Sequence, residues 1–148
     1  MDPIVLTGAG LLLVAVVALG TVTHELAHAA VLRAFGVPYD IEWLPGREDA
    51  GLLEASLYVK WAAVTPRSLP TDLSAWRLRI AALAPLSLAV PLLLVALNVV
   101  PDPFGTDLLL AKVLAIGWMA CALPSPQDFS LFFHAEEALA EERAALDG

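Results

Sequence analysis

The stretch from Leu11 to His28, LLLVAVVALGTVTHELAH, decides the fold, because an uncharged apolar run passes without a break into a cluster of ionisable residues. No formal charge occurs between Pro3 and Thr23, and the apolar pattern continues through His24 and Glu25 to Arg33 and Phe35. A bilayer crossing needs about 20 apolar residues in a helix. The spacing therefore predicts one long spanning helix over about 4–34, with the ionisable cluster on its second half. Nothing Lys- or Arg-rich precedes the run, and it is far longer than the apolar part of a secretory leader, so a cleaved leader is not expected. The wider composition agrees: 59% of the 148 residues are hydrophobic and 16% are charged, where soluble domains lie nearer 45–50% and about 25%.

Two further charge-poor runs follow. Ile80 to Val100 carries no charge and is interrupted only by Pro85, Pro91 and Asn98, which predicts a second span over about 79–100. Asn98 to Gly105, NVVPDPFG, is a strong turn signal. A third and shorter span is expected over about 107–124, with Lys112 near enough to its start to reach outward. Six of the eight Lys and Arg residues (Arg33, Arg47, Lys60, Arg67, Arg77, Arg79) fall between the first two spans, and the 101–106 turn has none. The positive-inside rule then predicts a cytoplasmic 34–79 segment and an N-terminus outside the cell membrane.

The expected fold class is an all-α membrane protein. It has three transmembrane helices, a small cytoplasmic β-hairpin between the first two, and an amphipathic C-terminal helix. Residues 1–148 form a single membrane-embedded domain. In the 36–66 hairpin segment Tyr39, Ile41 and Trp43 alternate with acidic residues. Beyond Pro45-Gly46, Leu53 to Trp61 alternates again, and period two on both sides of a turn predicts paired strands. Pro66 and Pro70 end the hairpin, and Thr71-Asp72 is placed to cap the helix that follows. The tail over 129–146 has Leu131, Ala135, Ala138, Leu139 and Leu146 at helical spacing. It is acidic, so an anionic inner leaflet would not attract it.

His24 and His28 stand four apart on the first helix, so both imidazoles leave one face and are placed to share a metal ion. Glu25 lies beside them, where a carboxylate would take a proton from a metal-activated water and pass it to a leaving amine. A His-Glu-His cluster at membrane depth is costly unless it is paired or metal-bound. Two histidines leave a catalytic zinc one ligand short. Asp128, directly after the prolines of Leu123 to Asp128 (LPSPQD), is the favoured third ligand. His134 is the alternative, and Asp128 has a competing role as N-cap of the tail helix. Cys121, the only cysteine, excludes an internal disulfide and a thiolate zinc cluster. A net charge of −8 excludes the basic stripe of a nucleic-acid binder.

In these residues the chain resembles the site-2-protease class of intramembrane zinc metalloproteases, in a minimal form close to the small zincin-type membrane peptidases. The resemblance rests on three patches: His24 to His28 (HELAH), Leu123 to Asp128 (LPSPQD), and Arg79 to Leu86 (RIAALAPL). It implies Zn2+ held by His24, His28 and Asp128, with Glu25 as general base. It also implies cleavage of a peptide bond in or near a transmembrane segment of a membrane-protein substrate. The family's Leu-Asp-Gly is Gln127-Asp128-Phe129 here, its Gly before the span-two proline is Ala84, and its Asn three residues after that proline is Leu88. The transition-state stabiliser is thus unassigned, with Ser87 and Asn98 as polar neighbours. A catalytically inactive, metal-binding membrane adaptor of the same fold is the alternative function. Oligomeric state has no sequence signal.

Overall fold

The computed structural model describes residues 2–43, 62–67, 69, 70 and 72–147. It is mostly helical, with one two-stranded sheet. Helix α1 runs from Pro3 to Ala34, a length of about 48 Å at 1.5 Å per residue. Asp2 starts it by accepting the Ile4 N–H at 2.8 Å, with Pro3 in the first turn where no N–H is needed. Gly36 ends it at φ +71°, a left-handed conformation that glycine adopts without strain. Val37 N–H then reaches Leu32 O at 2.9 Å and Gly36 N–H reaches Arg33 O at 3.1 Å, closing a Schellman turn. Within α1 the Thr21 and Thr23 hydroxyls donate to carbonyls four residues back, which satisfies them without water.

The first strand, β1 (Tyr39–Trp43), pairs antiparallel with β2 (Ala62–Pro66), with Tyr39 opposite Pro66 and Trp43 opposite Ala62. The expected partner strand, Leu53 to Trp61, lies outside the described residues, as do the Pro45-Gly46 turn and Thr71. The strand that does pair starts one residue later, at Ala62. Asp40 and Arg67 form a salt bridge across the end of this sheet.

Residues 79–100 do not form one straight helix. The segment is α2 (Ala75–Ala82), a 3₁₀ turn (Ala84–Ala89) and α3 (Val90–Ala96), with a bend of 42°. The cause is Pro85 and Pro91, which lack the N–H that a continuous helix requires. Asn98, at φ 56°, closes α3 with the same type of turn that Gly36 makes for α1. Helix α4 covers Leu109–Ala122, shorter at both ends than the 107–124 expectation. Its end is set by Pro124, which holds Leu123 in an extended conformation.

The expected 129–146 tail helix is two helices, α5 (Pro126–Phe133) and α6 (Ala135–Asp147). The N-cap of α5 is Ser125 rather than Asp128. Asp128 sits three residues on and returns its carboxylate to the Ser125 N–H, so the two form a capping box.

Helix α1 packs chiefly on α4, on the 3₁₀ turn and on β2. The α1–α4 contact is close because Gly20 faces Cys121 and Gly117 faces Val16. The best-buried cluster lies at the Phe35 end of α1, where Leu32, Val37, Leu73, Leu78, Ala81, Ala135 and Leu139 meet. Elsewhere large apolar side chains point outward, among them Ile4, Leu11, Leu19, Leu97 and Leu108. An apolar exterior around apolar helices is the surface that a membrane protein presents to lipid. Among the described residues two helical stretches, Pro3–Ala34 and Leu109–Phe133, are long and apolar enough to cross, and the bent pair Ala75–Ala82 and Ala84–Ala96 would make a third.

Candidate metal centre

Three elements meet at His24. Helix α1 supplies His24, Glu25 and His28, the α2 end supplies a carbonyl, and the α4–α5 junction supplies a carbonyl and Asp128. His24 Nδ1 lies 2.8 Å from Cys121 O and His28 Nδ1 lies 2.7 Å from Ala81 O. A carbonyl can only accept, so both Nδ1 atoms carry a proton and both Nε2 atoms turn toward Asp128. The two Nε2 atoms are 3.3 Å apart. Asp128 completes the group, with Oδ2 at 3.3 Å from His24 Nε2 and Oδ1 at 3.1 Å from His28 Nε2.

The donor set fits a zinc ion. Two imidazole Nε2 atoms and one carboxylate converge on a single point, an arrangement that a bound cation would hold together. Ligands bound tetrahedrally at about 2.0–2.1 Å stand about 3.3–3.4 Å from one another, the separation of the two Nε2 atoms here, and one ligand atom from each of the three residues lies within 4.8 Å of the others. His24 is buried, and His28 and Asp128 are half-buried. Two imidazoles and one carboxylate also leave the fourth position that a catalytic zinc keeps open. Each imidazole is oriented through its other nitrogen, the usual outer support of a metal-binding histidine.

Glu25 opens onto the same cavity of about 290 Å³, with His28, Asp128, Ser125, Gln127 and Thr65. Its Oε2 accepts the Val64 N–H of β2 at 3.0 Å, so the sheet edge and the ionisable cluster are directly joined. The register leaves Ala63 and Thr65 facing β1, and Arg67 N–H donates to Pro38 O at 2.9 Å on the same side. The backbone groups of Ala62, Val64 and Pro66 therefore point away from β1, and Val64 and Pro66 line the cavity.

Asp128, not His134, stands with the two histidines. His134 caps α5 on the exposed surface and pairs with Glu137 at 2.9 Å. Ser87 opens onto a separate groove with Ala27, Ala30, Ile80 and Phe132, and Asn98 is the exposed residue that ends α3, so neither lines the cavity. What the sequence reading did not find is the role of Val64, Ala81 and Cys121, which act through backbone atoms and leave no side-chain signature. Arg79 was also unassigned. It donates to Phe132 O at 3.2 Å and pairs with Glu136 at 3.0 Å, tying α2 to the helices that follow Asp128.

Compared with protein-family models, with curated proteins and with solved structures, the chain matches none. The functional reading therefore stands on this geometry.

Proposed function

We propose that this chain is an intramembrane zinc metallopeptidase that hydrolyses a peptide bond in or near the transmembrane segment of a membrane-protein substrate. The observation that carries the reading is the convergence of His24 Nε2, His28 Nε2 and the Asp128 carboxylate, with both imidazoles held by backbone carbonyls. When bound, zinc would supply Lewis-acid activation of a water and of the scissile carbonyl. Glu25 would serve as general base, its carboxylate taking a proton from the attacking water and returning it to the leaving nitrogen. The cavity-facing edge of β2 would hold the substrate extended by strand addition, with the Val64 carbonyl as a backbone partner beside the N–H that Glu25 engages. Pro66 has no N–H and ends that edge.

The membrane setting belongs to the same proposal. With the bent α2–α3 segment as a span, the chain crosses the cell membrane three times. Six of the eight Lys and Arg residues fall between the first two spans, and by the positive-inside rule that asymmetry supports a metal centre on the cytoplasmic side and an N-terminus outside.

One observation favours the inactive metal-binding adaptor instead: Glu25 is engaged by the Val64 N–H and not free over the histidines. The decisive experiment is zinc content of the detergent-purified chain together with cleavage of a transmembrane peptide in liposomes. About one zinc per chain, lost in His24→Ala and Asp128→Ala, with cleavage abolished by Glu25→Gln at unchanged zinc content, supports the peptidase. Zinc without any Glu25-dependent cleavage supports the adaptor, and a wild-type chain without zinc defeats both.

A further inference from the structure

Both histidine-orienting acceptors are main-chain carbonyls, and both stand just before a proline. In an α-helix the Ala81 carbonyl would accept the N–H of residue 85, which is Pro85 and has none. The Cys121 carbonyl would accept from residue 125 in an α-helix or from residue 124 in a tighter turn. Residue 124 is Pro124, and the Ser125 N–H is spent on Asp128 Oδ2 at 2.6 Å. The pattern occurs a third time away from the metal centre. In the 3₁₀ turn the Leu88 carbonyl would look to Pro91, and instead it accepts the Trp118 Nε1–H at 2.9 Å. Each of these carbonyls takes a side chain from another helix.

We propose that Pro85 and Pro124 are positioning residues: by withholding an N–H they reserve the Ala81 and Cys121 carbonyls for the Nδ1–H of His28 and His24. The consequence is a fixed ring orientation at each histidine, with the Nδ1–H on a carbonyl and Nε2 turned toward Asp128. This rests on the metal-binding reading above, but its structural half is visible in the metal-free chain. Pro85 is also among the fully buried side chains, packed where α2 breaks. A purely structural role would be to bend the backbone there, and the two roles make different demands on the histidines. A carbonyl has two lone pairs, so a restored helical N–H weakens the histidine's hold rather than abolishing it.

The test uses the full-length chain in detergent with ¹⁵N-labelled histidine, metal-free for imidazole shifts and then titrated with zinc against a competing chelator. In the wild type, at a pH where the imidazoles are neutral, His24 and His28 should each show one tautomer, protonated at Nδ1. Pro85→Ala should give a mixed tautomer at His28 alone, and Pro124→Ala a mixed tautomer at His24, which also serves as the internal measure of folding in the first variant. Zinc affinity should fall about 10–100-fold in each, the usual effect of losing an outer-shell partner. Pro91→Ala should alter Trp118 fluorescence and leave both imidazoles and zinc affinity unchanged. Unchanged imidazoles and unchanged affinity in Pro85→Ala and Pro124→Ala would overturn the proposal. So would loss of both histidine signals together in each variant, because that marks a general packing role. If the wild type shows the single tautomers yet binds no zinc, the metal reading fails while the assignment of the prolines is still judged on the imidazole shifts.

Discussion

Asp128 does two things with one carboxylate. Oδ2 accepts the Ser125 N–H and closes the start of α5, while Oδ1 lies nearer His28 and has no such helix-capping partner. The two duties separate by mutation. Ser125→Ala removes the reciprocal bond from Ser125 Oγ to the Asp128 N–H, at 3.2 Å, and should cost about 1 kcal/mol of stability. Its zinc affinity should fall less than that of Asp128→Asn, which keeps the shape of the cap and removes the ligand charge. Thermal denaturation and chelator competition on the two variants check both orders. At the sheet, the Arg67 guanidinium hydrogen-bonded to Asp40 holds that carboxyl below its ordinary value. A lowered carboxylate contributes stability above its unfolded value near about 3.9 and loses it as pH falls through the lowered folded value. Arg67→Ala should therefore raise the Asp40 titration midpoint toward that unfolded value, as read by carboxyl NMR. Both side chains are exposed, so the stability change should be small.

At the scale of elements, the α1–α4 contact governs the metal centre because Cys121, one of its contact residues, lends His24 its carbonyl. A Cβ added at Gly20 would stand 2.6 Å from Cys121 Sγ and 2.8 Å from Cys121 Cβ, too close without a helix shift. Gly20→Ala should cost about 1–3 kcal/mol of stability as an overpacked contact and should also weaken zinc binding. Adding Cys121→Gly removes both clashing atoms, and the double variant should recover much of each loss. Melting in detergent and zinc titration read the two effects, and a Gly20→Ala protein with wild-type values would show that the helices are free to move apart. Gly8 and Gly10, by contrast, face open space, so alanine there should be close to neutral.

For the whole molecule, the apolar outward surface and the buried cluster at the Phe35 end of α1 divide the chain into a lipid-facing part and a capped end. An odd number of crossings puts the termini on opposite sides of the membrane. Single cysteines placed at Asp2 and at Gly148, in a Cys121→Ala background, should react differently with a membrane-impermeant thiol reagent in sealed vesicles. The C-terminal site should be protected in intact cells and the N-terminal one labelled. Equal labelling of both would mean two crossings and would make the bent α2–α3 segment a re-entrant element. Such an element is tolerated at membrane depth only where its broken backbone is covered by protein. The 3₁₀ turn meets that condition in part, since Pro85 and Leu88 are buried against α1 and α4.

Local chemistry was enough to make the apolar helices legible, to mark the prolines as breaks, and to place His24 and His28 on one face, because each depends on neighbours within a turn or two. The same locality made Asp128 a candidate, since Pro124 and Pro126 forbid a continuous helix before it. Its N-cap role was misread because Ser125 and Asp128 each suit a helix start, and only the folded backbone distinguishes a cap from its partner three residues on. How far the second span bends at Pro85 and Pro91, 42°, is not given by hydropathy, which does not count missing N–H groups. Three things were settled only by tertiary structure: which of Asp128 and His134 stands with the histidines, which strand β1 pairs with, and which carbonyls hold the two imidazoles. Each joins residues far apart in the chain, and the last uses backbone atoms that every residue possesses. Sequence names the side chains able to bind a metal; only the packing of α1 against the broken ends of α2 and α4 brings their lone pairs to one point.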